Sequence, residues 1–501
     1  MLYRTERGSA GRQGHVRVIV IRAESFGFEV DSRIRRYRGR FCKAVGPSLI
    51  KLNPYPNAGS IRFDLELLCL DVINTQVMAT EVEQLPGSRP RRAGMFRALS
   101  HRNFRLFWTG AFLSNVGTWM QAVAQGWLVL QLTNSSFWLG LDAFMATAPA
   151  FIFTLLGGVF ADLLDRRRLL IYTQVVAGLA ALGLAMFVWT GAVNRWIVLG
   201  FSFVTGCCMA LASPSYLAMT YDLVGREDLA NAVALNSTQF QLSRVVGPAL
   251  AGFGFRLFGL AGCFFVNGLS FIAVVVSLGM VRPEPGMPQR EAPSDSAKGI
   301  RDLWRDLLEG FRYVRNRPRV FSLLMISAVN SLFGAPYFAL IPFYARDVFH
   351  LGATGLAWLM GMAGAGAFCG AALLTILGDF RRKGWFVLGG SLAFGVSVMA
   401  FSLSTRLMLS YLFLFALGFA IVSSIAAANT LLQKLVTDQM RGRVMSMFIL
   451  SFMGTMPIGN ILAGSASHRF GVPHTLAAGG LVIVVFAITM MVFNKRLRQL
   501  Y

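Results

Sequence analysis

Charged side chains are scarce in this chain. Only 14% of its 501 residues are Asp, Glu, Lys or Arg, whereas 55% are hydrophobic. A soluble domain carries about 25% charged residues. The composition therefore excludes an ordinary soluble protein and predicts that lipid surrounds most of the chain.

Acidic residues are scarcer still. The chain has 24 Asp and Glu against 47 Lys and Arg, which gives a formal net charge of +23. A basic excess of this size can indicate nucleic-acid binding. Here, however, the basic residues lie in short segments beside apolar runs, which is the pattern that orients helices in a membrane. We expect the lipid bilayer, and no nucleic acid, as the partner of these charges.

Sequence motifs of enzymes and metal sites are also lacking. The chain has six Cys and five His, and it contains no C-x-x-C pair, no His-Glu metal motif, no nucleophile elbow and no phosphate-binding loop. We therefore predict no enzymatic activity, no disulfide framework, no metal and no cofactor.

Long apolar runs dominate what is there. Runs of about 20 residues, the length that crosses a bilayer as a helix, occur in two series of six. We predict an all-α integral membrane protein with twelve helices. The first series is predicted at 106–131, 138–163, 169–190, 196–219, 232–255 and 260–281, and the second at 320–345, 355–377, 385–404, 408–432, 444–466 and 475–493.

The chain divides into four predicted regions. Residues 95–281 form an amino-terminal six-helix half and residues 320–501 a carboxy-terminal half. Between them, residues 282–319 form a linker whose later part repeats apolar residues at helical spacing, which predicts an amphipathic helix on the membrane surface. Both a plain connecting role and a regulatory role stay open for this linker.

Residues 1–94 are basic and poorly patterned, with an Arg-rich run at 33–40. Two explanations are open: a small basic extension, or sequence upstream of the true start. We favour a start at Met78 or Met95, because the region lacks the consistent patterning of a folded domain.

The orientation follows from the basic connections. Arg-rich and Lys-rich segments follow the second, fourth, sixth, eighth, tenth and twelfth predicted helices. Cytoplasmic loops carry this excess, so both ends of the helical body are predicted to be cytoplasmic.

One connection carries a recognisable motif. The pattern Gly158-x-x-Ala161-Asp162-x-x-x-Arg166-Arg167 joins the second and third predicted helices, and a weaker echo follows at 377–384. It resembles the signature of the major facilitator superfamily at this place. Two further stretches, 225–252 and 438–446, are similar to the enterobactin-exporter and transmembrane-secretion-effector branch of that superfamily.

The resemblance implies two six-helix halves related by pseudo-two-fold symmetry. It also implies a bacterial inner-membrane protein that exports a small organic molecule by proton antiport with alternating access. The motif would form part of a cytoplasmic gate. The gate residues implied are Gly158, Asp162, Arg166, Arg167, Gly378, Asp379, Arg441 and Arg443.

This sequence departs from the family signature in two places. Leu163 stands where an arginine usually follows the aspartate, and Asp165 stands where glycine is usual. Asp165 is a candidate to replace part of the lost charge network.

Gly247, Pro248 and Gly252 are similar to the fifth-helix motif of antiporters. Proline frees backbone groups and glycine lets helices touch, so we expect a bend or a tight crossing there. A role in packing alone stays equally open.

Ionisable residues inside apolar spans are expensive and are default functional candidates. Asp142 is a candidate for carrying the coupling proton, because burial favours the neutral form of a carboxyl group. The alternative is an interfacial aspartate that reaches water. Arg244 is a candidate for binding an anionic substrate or for pairing with a buried acid. The fourth span carries Ser202 near the place where proton-coupled relatives commonly have an arginine.

Neutral polar and aromatic residues complete the set. Gln121, Gln125, Asn236 and Asn330 are further coupling or substrate candidates, which line a cavity or bond between helices. Five aromatic residues suit either stacking on an aromatic ligand or plain packing and lipid contact: Trp119, Trp127, Phe333, Tyr337 and Phe338.

Three functions stay open from sequence alone. The leading one is a monomeric, proton-coupled exporter of a siderophore, drug or amphipathic metabolite. The others are a lysophospholipid flippase on the same fold and a membrane sensor or scaffold that transports nothing.

Overall fold

The computed structural model describes residues 18–23, 28–33, 96–163, 165–281, 300–378 and 382–493. The chain divides into two compact units, Met1–Ala93 and Gly94–Tyr501. In the first unit, strands β1 (Val18–Ala23) and β2 (Phe28–Arg33) pair antiparallel. The sequence analysis did not predict these strands. Met78 and Met95, the expected start positions, lie outside the described residues.

The second unit is helical throughout its described part. A short 3-10 helix, Arg97–Ser100, precedes the long helices. The first half holds α1 (Arg102–Thr133), α2 (Ser136–Leu163), α3 (Arg166–Trp189) and α4 (Arg195–Met280). The linker contributes α5 (Ile300–Arg315), and the second half holds α6 (Pro318–Val348), α7 (Ala353–Leu377), α8 (Lys383–Leu403), α9 (Leu407–Leu435), α10 (Gln439–Phe470) and α11 (Val472–Phe493).

The segment Arg195–Met280, labelled α4 as a whole, consists of three helices that are separated by two glycines. Gly225 and Gly259 have φ angles of 71° and 65°, in the region that glycine adopts without steric cost. They divide α4 into α4a (195–224), α4b (226–258) and α4c (260–280). Eight described helices, α4 counted once, are long and apolar enough to span a membrane. The total of twelve crossings stays a prediction.

The outer surface of the bundle is apolar. Large hydrophobic side chains such as Leu179, Met408 and Ile376 are largely exposed, at 64%, 77% and 82%. A surface of this kind is stable against hydrocarbon and not against water. The expected lipid environment therefore agrees with the placement of the side chains.

The two halves meet at close crossings of helix backbones. At the α2–α10 crossing, a Cβ on Gly140 would lie 2.5 Å from the Asn460 carbonyl oxygen and 2.7 Å from Gly464 Cα. At the α4b–α7 crossing, Gly364 lies directly against the backbone of Arg244. Small residues at these points let the backbones approach, which is how helices associate without a hydrophobic driving force.

Gly418→Val tests this mode of packing within the second half. A side chain at 418 on α9 would collide with the backbone carbonyl of Ala363 on α7. We expect the variant to lose about 1–3 kcal/mol of stability, as overpacked sites do, and to melt at a lower temperature in detergent. Gly389→Val is the matched control, because no atom lies within 4 Å of a Cβ there. Equal melting temperatures for the two variants would contradict the prediction.

Candidate functional site

Two ends of the bundle serve as references. The α1–α2 end is the one at which α1 connects to α2, and the α2–α3 end is the opposite one, which also carries the linker. Asp142 lies on α2 about two turns from the α1–α2 end. Gln125 on α1 and Ser202 on α4a lie at about the same depth.

These three side chains form a hydrogen-bonded cluster. The Gln125 amide nitrogen lies 3.0 and 3.1 Å from the two carboxylate oxygens of Asp142, and 2.7 Å from the Ser202 hydroxyl. Ser202 Oγ donates to Asp142 and also lies 2.9 Å from the backbone carbonyl of Val198. Asp142 is only 8% exposed. It therefore faces the bundle and not the membrane interface.

Further amides extend the cluster. Gln121 donates from its amide nitrogen to the Gln125 side-chain oxygen over 3.4 Å, and Asn267 on α4c donates to the Gln121 side-chain oxygen over 2.6 Å. The network thus joins α1, α2, α4a and α4c. Within the part of the chain that the structure describes, no Lys, Arg or His lies within ion-pair distance of Asp142.

The sequence analysis named Ser202 only for its place in the fourth span, and it did not select Asn267 from the amides at membrane depth as a site residue. Their depth in the membrane identifies them. Each lies about two turns inside its helix from the α1–α2 end, as Asp142 does. A comparison of polar residues at equal depth finds both of them.

Arg244 lies elsewhere, near the middle of α4b and between the halves. Its guanidinium carbon is 5.0 Å from the centre of the Trp119 ring, and the guanidinium contacts the side chain of Tyr337. Trp119 in turn meets Phe240 and Phe338 edge-on, with ring centres 5.9 and 5.7 Å apart. The predicted cation and three of the five predicted aromatic residues, Trp119, Tyr337 and Phe338, are thus brought together.

The remaining amide candidates lie apart from both clusters. Asn330 on α6 accepts a hydrogen bond from Ser391 on α8 over 2.8 Å. Asn236 on α4b donates to Thr220 on α4a over 3.0 Å. Each bond holds neighbouring helices of one half together, as interhelical amides in membranes do.

The Gly247, Pro248 and Gly252 stretch lies along two contacts of α4b. A Cβ on Gly247 would collide with α1 at Trp119, whereas one on Gly252 would lie 3.5 Å from Ala357 on α7. The tight crossing is therefore at Gly247, and it presses Trp119 toward Arg244. Pro248 is buried beside it.

The signature motif forms the α2–α3 end of the first half. Arg166 pairs with Asp222 at the end of α4a, with a nitrogen–oxygen distance of 3.0 Å. Arg167 donates to the last carbonyls of α4c, at Leu278 and Gly279, over 2.8 and 3.0 Å. Asp165 caps α3 by accepting from the Arg168 amide. Sequence reasoning did not single out Asp222.

Two members of this motif are described in part. Gly158 and Asp162 lie in the last two turns of α2, and the side chain of Asp162 lies outside the described residues. In the second half, Asp379 also lies outside the described residues, and Gly378 ends α7 with a φ of 55°. Arg443 on α10 forms an ion pair with Glu309 of α5, and Arg441 is exposed on the same turn.

A second ion-pair cluster fastens the start of the bundle. Asp228, only 6% exposed, lies 2.9 Å from both the Arg97 side chain and the His101 ring. The Ala98 amide donates to the Asn231 side chain over 2.9 Å. The short helix Arg97–Ser100 is therefore held on the turn that begins α4b.

At the α1–α2 end, bonds cross between the halves. Arg346 at the end of α6 donates to the Leu130 carbonyl over 3.1 Å and to the Asn134 side chain over 2.6 Å. Pro342 packs where a Cβ on Gly126 of α1 would be, at 2.9 Å. Two hydrogen bonds and one packing contact therefore join the two halves at this end.

A groove of about 340 Å³ lies on the surface between α3 and α4c. Its lining is apolar except for Thr190, and Trp189 beside it is 82% exposed. It lacks convergent polar groups, so it fits a lipid chain better than a transported polar molecule.

Comparison with known proteins places these features in a family. The model of the transmembrane secretion effector family matches residues 93–500. Macrolide efflux protein A of Streptococcus pyogenes is 23% identical over 402 residues, which covers 78% of this chain and 96% of that protein. Enterobactin exporter EntS of Shigella flexneri is 24% identical over 404 residues, which covers 80% and 94%.

Solved structures share the fold. A bacterial homologue of the human lysosomal transporter Spinster, inward-facing and unoccupied, superposes with a TM-score of 0.60 at 16% identity, covering 83% of this chain and 99% of that one. A mutant peptide transporter POT gives 0.64 at 13% identity, covering 79% and 95%. The predicted helical transporter fold is confirmed by these likenesses.

Asp228→Asn tests the ion-pair cluster. The loss of a charge-assisted hydrogen bond costs about 1.5–3 kcal/mol, so we expect the Ala98 amide to exchange its hydrogen at least about 10-fold faster. Hydrogen–deuterium exchange with mass spectrometry measures this. The matched control is Glu227→Gln, because the Glu227 side chain is 87% exposed and its contact with Arg97 is weak, at 3.4 Å. An unchanged exchange rate in Asp228→Asn would show that the carboxylate does not hold this helix.

Proposed function

The chain belongs to the transmembrane secretion effector family of the major facilitator superfamily, and on this premise we propose that it exports a small organic molecule by proton antiport. It is a transmembrane efflux transporter and not an enzyme. The named relatives act on macrolides and on enterobactin. We assign this chain to the same broad range of cargo: siderophores, drugs or amphipathic metabolites.

The observation that carries proton coupling is the environment of Asp142. A carboxylate at membrane depth is stabilised either by a cation nearby or by taking up a proton, which makes it neutral. The described residues around Asp142 supply no cation, only the Gln125 amide and the Ser202 hydroxyl. Amide donors stabilise the ionised form, whereas the hydroxyl oxygen is able to accept a bond from the protonated form. The cluster suits a carboxyl group that gains and loses a proton in each cycle.

The contacts between the halves support alternating access. The hydrogen bonds of Arg346 cross between the halves at the α1–α2 end. At the α2–α3 end, the Arg166 pair joins parts of the first half, and the Arg443 pair joins the second half to the linker. Two halves that are each held together in this way are able to rock against one another.

The basic α2–α3 end is assigned to the cytoplasm, in a bacterial inner membrane. Because the bonds of Arg346 join the halves at the α1–α2 end, we assign the entry of cargo to the opposite, cytoplasmic end. Both ends of the helical body would be cytoplasmic. Because one chain contains both halves and both clusters, we assign the monomer as the working unit.

Asp142→Asn tests the proton carrier. Asparagine keeps the shape and one acceptor oxygen for the Gln125 amide but holds no transferable proton. In inverted vesicles with an imposed pH gradient, we expect uphill transport of a macrolide, siderophore or dye that the wild type exports to fall at least about 10-fold. Downhill equilibration of the same compound should persist.

Asp165→Asn is the matched control for this experiment. It makes the same chemical change at the α2–α3 end, and asparagine caps a helix as well as aspartate does. Its uphill transport should equal that of the wild type and collapse with a proton uncoupler. Uphill transport by Asp142→Asn at the wild-type rate would refute the assignment of the proton to Asp142.

A further inference from the structure

Arg244 carries a charge that the described residues leave without a counter-ion. The guanidinium lies near the middle of α4b, and no carboxylate of the described chain lies within ion-pair distance of it. Its Nε is buried and has no hydrogen-bond partner. A buried donor without a partner costs about 1–3 kcal/mol, and an unpaired charge at membrane depth costs more. An arginine held in this state is suited to receive an anion from outside the chain.

Close backbone contacts of α4b fix the position of Arg244. Gly364 on α7 packs directly on the Arg244 backbone, and Gly247, one turn further along α4b, presses against α1 at Trp119. Arg244 is thus held between the halves, where cargo sites of duplicated transporters lie.

The shape of the guanidinium selects the kind of anion. Trp119 covers one face of the group, at 5.0 Å, and Tyr337 contacts it as well. A guanidinium edge made of Nε and one terminal nitrogen has the geometry that matches the two oxygens of a carboxylate, and the Nε donor of Arg244 has no partner among the described residues. A lysine ammonium offers no such fork.

The surroundings select the rest of the ligand. Phe240 and Phe338 flank Trp119, and the Phe240 side chain is 38% exposed although it belongs to this cluster. Flat apolar walls beside a bidentate donor suit a ring bonded directly to a carboxylate.

We propose that Arg244 binds the carboxylate of an aromatic organic acid, whose ring lies against Phe240 and Phe338. This inference rests on the proposed function, since it assigns the class of cargo to that transporter. The proposal predicts that an aromatic cation of similar shape does not bind at this site.

Three naphthalene compounds of equal ring size test the charge preference: 1-naphthoate, 1-naphthalenemethanol and 1-naphthylmethylamine. The full-length protein is placed in nanodiscs of neutral phosphatidylcholine, and binding is measured by isothermal titration calorimetry. We expect naphthoate to bind at least about 10-fold more tightly than either other compound, because only naphthoate makes the charge-assisted bidentate pair. Equal affinity for the three compounds would overturn the proposal without any variant.

Variants then locate the site. Arg244→Gln should weaken naphthoate binding at least about 10-fold, and Arg244→Lys should weaken it less, because it keeps the charge but loses the fork. Arg195→Gln is the matched control: Arg195 also stacks on tryptophan, 4.8 Å from the Trp138 ring, but lies at the α1–α2 end. If Arg244→Gln binds naphthoate as the wild type does, the proposal is wrong. If that variant does not fold, the Arg244→Lys affinity decides: an unchanged value overturns the bidentate site.

Two further experiments distinguish the proposed cargo site from a lipid headgroup site and from a failure of the proposed proton coupling. If phosphatidylglycerol in the nanodisc displaces naphthoate in an Arg244-dependent way at low lipid fraction, the site belongs to a lipid headgroup and the proposal fails. Asp142→Asn should keep naphthoate binding, because equilibrium binding needs no proton gradient. If uphill transport persists in Asp142→Asn while naphthoate binding still depends on Arg244, the proton assignment has failed and the carboxylate site stands. If uphill transport falls but naphthoate binds no better than the other two compounds, the carboxylate site has failed and the proton assignment stands.

Discussion

A hydrocarbon solvent offers no hydrogen bonds, and the rest of this structure depends on that constraint. Each polar group on the spans has to find its partner inside the bundle. Hydroxyl groups such as those of Thr118 and Thr173 donate to carbonyls of their own helices. Amides that have no such local partner bond across helices, as Asn267 does with Gln121. Asp142 stands out because only neutral groups bond to its carboxylate, and Arg244 stands out because its Nε has no partner among the described residues.

The same constraint explains the use of glycine. Since lipid and protein are equally apolar, helices associate through close backbone approach and not through hydrophobic burial. The α2–α10 and α4b–α7 crossings both depend on positions without a side chain, Gly140, Gly464 and Gly364. These crossings join the two halves, so the halves share smooth backbone surfaces there. Interlocked long side chains at the same places would resist the relative movement proposed above.

Hydropathy and motif spacing predicted the class of fold, the linker helix and the isolated charges, because each of these is a property of a short stretch. The hydrogen-bond and ion-pair partners of the polar groups were not predicted, since these partners come from distant segments of the chain. Arg166 meets Asp222, 56 positions away, and the Ala98 amide meets Asn231, 133 positions away. The reversals at Gly225 and Gly259 depend on a backbone angle that glycine permits but does not enforce. The separation of Asp142 and Arg244 into two clusters follows from helix packing, which no single span encodes.

Ser202 has one hydroxyl proton and two oxygen atoms within reach, one on Asp142 and one on the Val198 carbonyl. It is able to serve only one of them at a time. With Asp142 as the proposed proton carrier, a charged carboxylate draws the hydroxyl across to α2, and a protonated one leaves it to the Val198 carbonyl of its own helix. The protonation state of α2 would then decide whether Ser202 ties α4a to α2.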